Sequence, residues 1–174
     1  MVKSQYQRRI ISLILYIVIA VFIAYLLVSE RTLTLKVGEQ APLDEKIALL
    51  NGPTSTFRRL ARGPILVNFW ATWCPPCRTE LPILANVQKL FQGQIIFIGA
   101  AIASPKEDIV ALKNSFNLNY ALGQIDEDVK KKWQAEALPT TYLIDTKGHI
   151  VWAHTGAVHE DELKAQIKAL LERR

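Results

Sequence analysis

The chain opens on a run with no polar alternation: Ile10 to Val28 carries no charge, and only Ser12, Tyr16 and Tyr25 interrupt its apolar side chains. A stretch of about nineteen such residues spans a bilayer as a helix. Lys3, Arg8 and Arg9 precede it, whereas Arg31 and Lys36 follow it offset by Glu30, a bias that keeps the N-terminus in the cytoplasm. A cleaved signal peptide shares the basic start, but its apolar core is shorter and ends in an Ala-x-Ala-like site. No such site stands near Leu26-Leu27-Val28-Ser29. The pattern therefore predicts a cytoplasmic N-terminus over 1–9, one transmembrane helix over 10–28, a juxtamembrane linker over 29–37 and a folded domain over 38–174 outside the cytoplasm.

Beyond the linker the hydrophobic pattern changes to short apolar runs alternating with helical spacing. Ile65 to Trp70, preceded by Gly63-Pro64, has the length and composition of a buried strand. Leu81, Leu84, Val87 and Phe91, with Ile83 and Leu90 beside them, set an apolar helix face that runs to Gly93, with Pro82 expected to kink it. Ile95 to Ile102 reads as a second buried strand, and Pro105 opens a helix to about Phe116. A short strand near Tyr120-Ala121-Leu122, a helix over about 126–134, and a hairpin of Thr140–Ile144 with His149–His154 around the turn at Gly148 come next. The last helix, about 160–172, places Leu163, Ile167, Leu170 and Leu171 on one face. This order predicts an α/β domain with a central mixed sheet flanked by helices. No internal repeat or low-complexity tract interrupts it.

Length and charge narrow the possibilities. A chain of 174 residues has room for one core plus an appendage. The net charge of +5 would suit a nucleic-acid partner, but five of the basic residues and only Glu30 among the acids lie in the first 37. The folded part is nearly neutral, and its basic run Lys130-Lys131-Lys132 follows Asp126, Glu127 and Asp128 as the base-terminated end of one solvated helix. Nucleic acid is not an expected partner.

The chain has two cysteines, Cys74 and Cys77, in Trp73-Cys74-Pro75-Pro76-Cys77. A disulfide between them closes too short a loop to stabilise a domain, so the pair points to thiol chemistry. They fall where a strand ends and a helix begins, and the free N–H groups and positive dipole end there stabilise a thiolate, drawing the Cys74 pKa from about 8.5 toward neutrality. Cys74 is the expected attacking residue and Cys77, one turn on, the resolving one. Pro75 and Pro76 suit the first helical turn, but they remove donors to the sulfurs and so raise the Cys74 pKa relative to a motif without them. A structural zinc site would need two of His149, His154 and His159 as further ligands, and these lack tight ligand spacing. Two inert buried cysteines are the other plain alternative. Neither zinc nor another metal is expected, and no cofactor beyond the redox-active disulfide Cys74–Cys77.

The segment Asn68 to Pro82, which includes Trp70, Trp73, Cys74-Pro75-Pro76-Cys77 and Glu80, resembles the thioredoxin superfamily, in the branch of the membrane-anchored TlpA/ResA/CcmG (DsbE) group. The resemblance runs from about Val37 to the C-terminus, and Leu138-Pro139-Thr140 matches the family's cis-proline loop, with Pro139 cis and the backbone of Leu138 pairing with substrate. An X–Pro bond is the kind that tolerates cis. A thioredoxin-like fold follows from the resemblance, with Trp73, Pro75, Pro76, Leu138 and Pro139 contacting substrate. Cytosolic thioredoxin has Asp where this chain has Asn68, and an amide cannot accept a proton. Glu80 occupies the place of an acid carried by this branch, from which a partly buried carboxylate exchanges a proton with Cys77; the alternative is a solvated helix glutamate. Trp70 and Trp73 are expected to pack beside the cysteines. Leu138 departs from the family's usual Val.

What the resemblance implies is a monomeric thiol:disulfide oxidoreductase on the outer side of the cytoplasmic membrane that reduces protein disulfides. Its donor would be a membrane thiol-electron carrier of the DsbD or CcdA type, and its acceptors apocytochrome c haem-site cysteines or metal-site cysteines. Oxidation of substrate thiols uses the same pair at a different reduction potential. A non-enzymatic tethered binding or assembly module is the rival from another class.

Overall fold

The computed structural model describes residue 9 and residues 13–23 and 34–173. The chain divides into two units, Met1–Thr32 and Leu33–Arg174. In the first, residues 13–23 are helical with their apolar side chains exposed on every face. The expected span over 10–28 thus lies partly outside the described residues, and among the described residues no helix is long and apolar enough to cross a membrane.

The second unit is built on a seven-stranded sheet of β1 (Lys46–Leu49), β2 (Thr54–Thr56), β3 (Ile65–Trp70), β4 (Ile96–Ile102), β5 (Ala121–Ile125), β6 (Thr140–Ile144) and β7 (Ile150–Thr155), in spatial order β2-β1-β5-β4-β3-β6-β7. β3, β4 and β5 are parallel, and the strands outside them are antiparallel, so the sheet is mixed as expected. The edge pair β1 and β2 carries no clear hydrophobic alternation, which is why the sequence did not announce it. The helices are α1 (Phe57–Leu60), α2 (Pro75–Leu90), α3 (Lys106–Phe116), α4 (Glu127–Lys132) and α5 (Glu160–Glu172). α2 continues through Pro82, which withholds a single hydrogen bond from the helix ladder.

β3 is buried over its whole length, and the period of two sends its side chains into two different cores. Ile65, Val67 and Phe69 face a cluster with Phe57, Trp133 and Tyr142, beneath α1 and α4. Leu66 and Trp70 face the opposite side, where α2, α3 and α5 pack with Leu81, Leu84, Ile109, Leu163 and Ile167. Asn68 belongs to that second face and is a buried polar residue among apolar neighbours. Where β3 gives way to α2, both cysteines enter the same cluster as Trp70 and Leu81.

The second unit starts earlier than Gly38. Leu35 is buried and its N–H donates to the Tyr142 hydroxyl at 3.1 Å, while that hydroxyl donates to the Trp133 carbonyl at 2.8 Å. Residues placed in the linker by sequence thus help close the core.

Candidate active site

Cys74 stands at the cap of α2 and is joined to Cys77 by a disulfide. Pro75 and Pro76 occupy the first helical positions and have no N–H to offer. The donor that reaches the Cys74 sulfur is the Cys77 N–H, at 3.3 Å. The helix end thus gives its dipole and one hydrogen bond to this sulfur. In the disulfide form both cysteines are buried, with 3% of Cys74 and none of Cys77 exposed.

The peptide bond Leu138–Pro139 is cis. Leu138 and Cys74 line one cavity of about 340 Å³, together with Trp73, Pro75, Pro76 and Ala103. The loop expected to face the cysteines therefore does so. Pro139 is buried, and its carbonyl accepts from Gly156 N–H at 2.8 Å, which ties the loop to the residue after β7.

Trp70 packs against the cysteines as expected. Trp73 does not. It is 62% exposed, held by a hydrogen bond from its Nε1 to the Ala103 carbonyl at 3.0 Å, so its ring is a wall of the groove rather than core. Ala103 takes φ of 43°, a conformation unfavourable for an L residue, and in that conformation its carbonyl meets the indole. On the other side of Trp73 lies a second cavity of about 370 Å³ lined by Thr72, Arg78, Asp108 and Leu112.

Glu80 is fully buried, which removes the solvated-helix alternative. Its Oε1 accepts from Asn68 Nδ2 at 2.7 Å and its Oε2 from the Val158 N–H at 3.2 Å. Burial raises its pKa from the ordinary 4.5 to about 7, against the opposing pull of those two hydrogen bonds. A carboxyl group one helical turn from Cys77 is thereby poised to hold or release a proton at neutral pH.

Sequence reasoning missed several neighbours. Thr141 accepts from Asn68 Nδ2 at 3.0 Å, a contact set by the pairing of Asn68 with Thr141 across β3 and β6. Tyr120 presents a buried, unpartnered hydroxyl, and burial together with the Glu80 charge raises its pKa well above the ordinary value. Glu127 and Glu136 line the cavity beside Cys74, and Lys130 bridges them at 3.1 and 3.2 Å with little of its side chain exposed. That helix is not the purely solvated face expected of it. His149 lies near Asp145, and His154, which pairs with Thr141 across β6 and β7, lies near Glu162. Among the described residues no group of three or more His, Cys, Asp or Glu is placed to hold a metal ion.

The Redoxin profile matches residues 36–171, nearly the whole of the second unit. The chain belongs to the Redoxin family. Among its relatives, the thiol:disulfide interchange protein DsbE of Pseudomonas fluorescens biotype C is 32% identical over 174 residues, covering 94% of each chain. The thiol-disulfide oxidoreductase ResA of Geobacillus thermodenitrificans is 28% identical over 144 residues, covering 82% of each. The crystal structure of a secreted Mycobacterium tuberculosis disulfide oxidoreductase homologous to Escherichia coli DsbE superposes with a TM-score of 0.67 at 22% identity, covering 74% of this chain and 97% of that one. The fold is thioredoxin-like. This Redoxin-family chain is a thiol:disulfide oxidoreductase of the ResA/DsbE type, and Cys74–Cys77 is its cysteine pair.

Proposed function

We propose that the protein is a membrane-tethered reductase of protein disulfides, with Cys74 as nucleophile, Cys77 as resolving thiol and Glu80 as the group that takes the Cys77 proton. The observation that carries this reading is the buried Glu80 carboxyl, poised near neutral pH one turn beyond a cysteine pair at a helix cap. In the dithiol state the Cys74 thiolate attacks a substrate disulfide, forms a mixed disulfide and expels one substrate thiolate. Cys77 passes its proton to the Glu80 carboxylate, attacks the Cys74 sulfur and expels the second substrate thiolate. Two electrons move to the substrate and the Cys74–Cys77 disulfide is left. Trp73, Pro75, Pro76 and Leu138 form the surface on which the substrate chain lies, whereas Pro139, expected to share it, is buried next to Leu138 in the loop. The exposed groove beside Cys74 supports a macromolecular substrate.

The anchor over 10–28 and a catalytic unit outside the cytoplasm complete the proposal. The all-round apolar exposure of residues 13–23 supports it, since a helix apolar on every face belongs in lipid or a core. A DsbD- or CcdA-type carrier as donor, apocytochrome c or metal-site cysteines as acceptors, and a monomeric state follow from the resemblance.

Trapping tests the exchange. With Cys77→Ser, substrates should accumulate as mixed disulfides on Cys74, and Cys74→Ser should abolish them; a chain that functions normally as Cys74→Ser would instead be a binding module. The redox state of the pair in cells tests direction, for a pair found largely as disulfide while its donor pathway is intact would make the protein an oxidant.

A further inference from the structure

If Glu80 serves Cys77, it holds a proton in one state and none in the other, and the following inference rests on that reading. The groups around its carboxyl are arranged for one of these states only. Both oxygens face N–H donors, Asn68 Nδ2 on Oε1 and the Val158 N–H on Oε2. The second hydrogen of Asn68 Nδ2 goes to Thr141 Oγ1. Asn68 Oδ1, in contrast, is buried and has no partner. A buried carbonyl oxygen without a donor is costly, and its presence beside a titrating carboxyl asks for a reason.

The other groups around Glu80 do not supply one. Cys77, on the same helix, is in the disulfide. Tyr120 keeps its proton, since burial and the Glu80 charge both raise its pKa. His159, next to Val158, is exposed.

A proton arriving at Oε2 meets a backbone N–H that cannot turn away, whereas at Oε1 it meets a side-chain amide that can. Half a turn about the Asn68 Cβ–Cγ bond exchanges Nδ2 and Oδ1. Oδ1 then accepts the Glu80 O–H and the Thr141 hydroxyl, which changes from acceptor to donor. In the observed orientation Oδ1 lacks a donor and in the turned one Nδ2 lacks acceptors, so the turn gains nothing by itself and the Glu80 proton decides it. We propose that Asn68 and Thr141 form a proton-following amide switch, in which Asn68 presents its N–H to ionised Glu80 and its oxygen to the protonated acid. Both are positioning residues. Asp at position 68 would place a second acid against Glu80, whereas the amide adapts to each charge state without adding a charge.

Glu80→Gln imitates the protonated state, since its carbonyl accepts from Val158 N–H and its amide nitrogen faces Asn68, which must then offer Oδ1. The test uses the full chain in detergent micelles, oxidised so that the cysteines do not titrate, with 15N-labelled asparagine and 13C-carboxyl-labelled glutamate. The Asn68 side-chain resonances should move with pH at the same midpoint as the Glu80 carboxyl, and in Glu80→Gln they should sit at the low-pH position throughout. Thr141→Val removes one hydrogen bond from each orientation of Asn68, so the Asn68 and Glu80 resonances should still move together. Asn68 resonances that stay fixed while Glu80 titrates, or that sit at the high-pH position in Glu80→Gln, would overturn the switch and leave the proton-acceptor reading standing. A Glu80 carboxyl that does not titrate between about pH 5 and 9 would overturn both.

Discussion

Replacing Glu80 by Gln should change how stability depends on pH in a way no surface residue does. In the folded protein the Glu80 carboxyl titrates at about 7, and in the unfolded chain near 4.5. Between those values the folded state keeps a proton that the unfolded state has released, so stability falls as pH rises through this window and stays lower above it. Below 4.5 both states are protonated and the penalty vanishes. At 1.36 kcal/mol per unit, the separation amounts to about 3 kcal/mol. Glu80→Gln cannot ionise, so at alkaline pH it should be more stable than the parent relative to its standing at pH 4.5, by about that amount. Urea unfolding of the oxidised chain in micelles reads this directly. With a slope of about 1–3 kcal/mol/M, the pH-dependent gap between the two midpoints should grow by about 1–3 M across the window. Subtracting the two curves removes the histidines and surface acids, which titrate alike in both. Curves that run parallel would mean that Glu80 ionises without penalty and that its burial does not raise its pKa.

Other perturbations test neighbouring parts of the site. Pro76→Ala returns an N–H to the second helical position, so the pH midpoint for Cys74 alkylation in the reduced protein should fall, and an unchanged midpoint would show that this N–H does not reach the sulfur. Lys130→Gln leaves Glu127 and Glu136 uncompensated on the groove wall, so the same midpoint should rise at low salt and return toward the parent value at high salt. Gly99→Ala would place a methyl group 2.5 Å from Leu122 Cδ2 and 3.2 Å from Trp70 Nε1, and should cost about 1–3 kcal/mol in urea unfolding, with a change in tryptophan fluorescence.

How legible this protein is in its sequence differs from one element to the next, for physical reasons. β3, α2, β4 and α5 bury whole faces, and burial writes itself as apolar periodicity. The short strands β1 and β2, at one end of the sheet, bury little, so their sequence Lys46–Leu49 and Thr54–Thr56 carries no comparable signal. The site follows the same division. Cys74, Cys77, Glu80 and Pro139 lie in two local motifs, and the structure brings them together. Thr141 and Val158 are invisible as site residues because what qualifies them is register and a backbone N–H, neither of which depends on the side-chain pattern. Trp73 illustrates the converse. An aromatic beside a motif suggests burial, but the Trp73 ring stays exposed, with its Nε1 donating to the Ala103 carbonyl.

The same geometry bears on the direction of electron flow. A dithiol–disulfide pair becomes a strong oxidant when its reduced form is stabilised, above all through its exposed thiolate. Here the sulfur that would carry that charge sits at a helix end, yet two of the positions that could donate to it are prolines, and its hydrogen bond from Cys77 N–H is 3.3 Å long. The groove beside it sets two carboxylates against one ammonium group, and the buried acid one turn behind Cys77 adds negative charge whenever it gives up its proton. Each feature makes the thiolate less comfortable and the disulfide correspondingly easier to keep, which favours a pair that gives electrons away. If Pro76→Ala lowers the alkylation midpoint of Cys74, it should in the same step shift the pair's reduction potential upward, toward the oxidising end of the family's range.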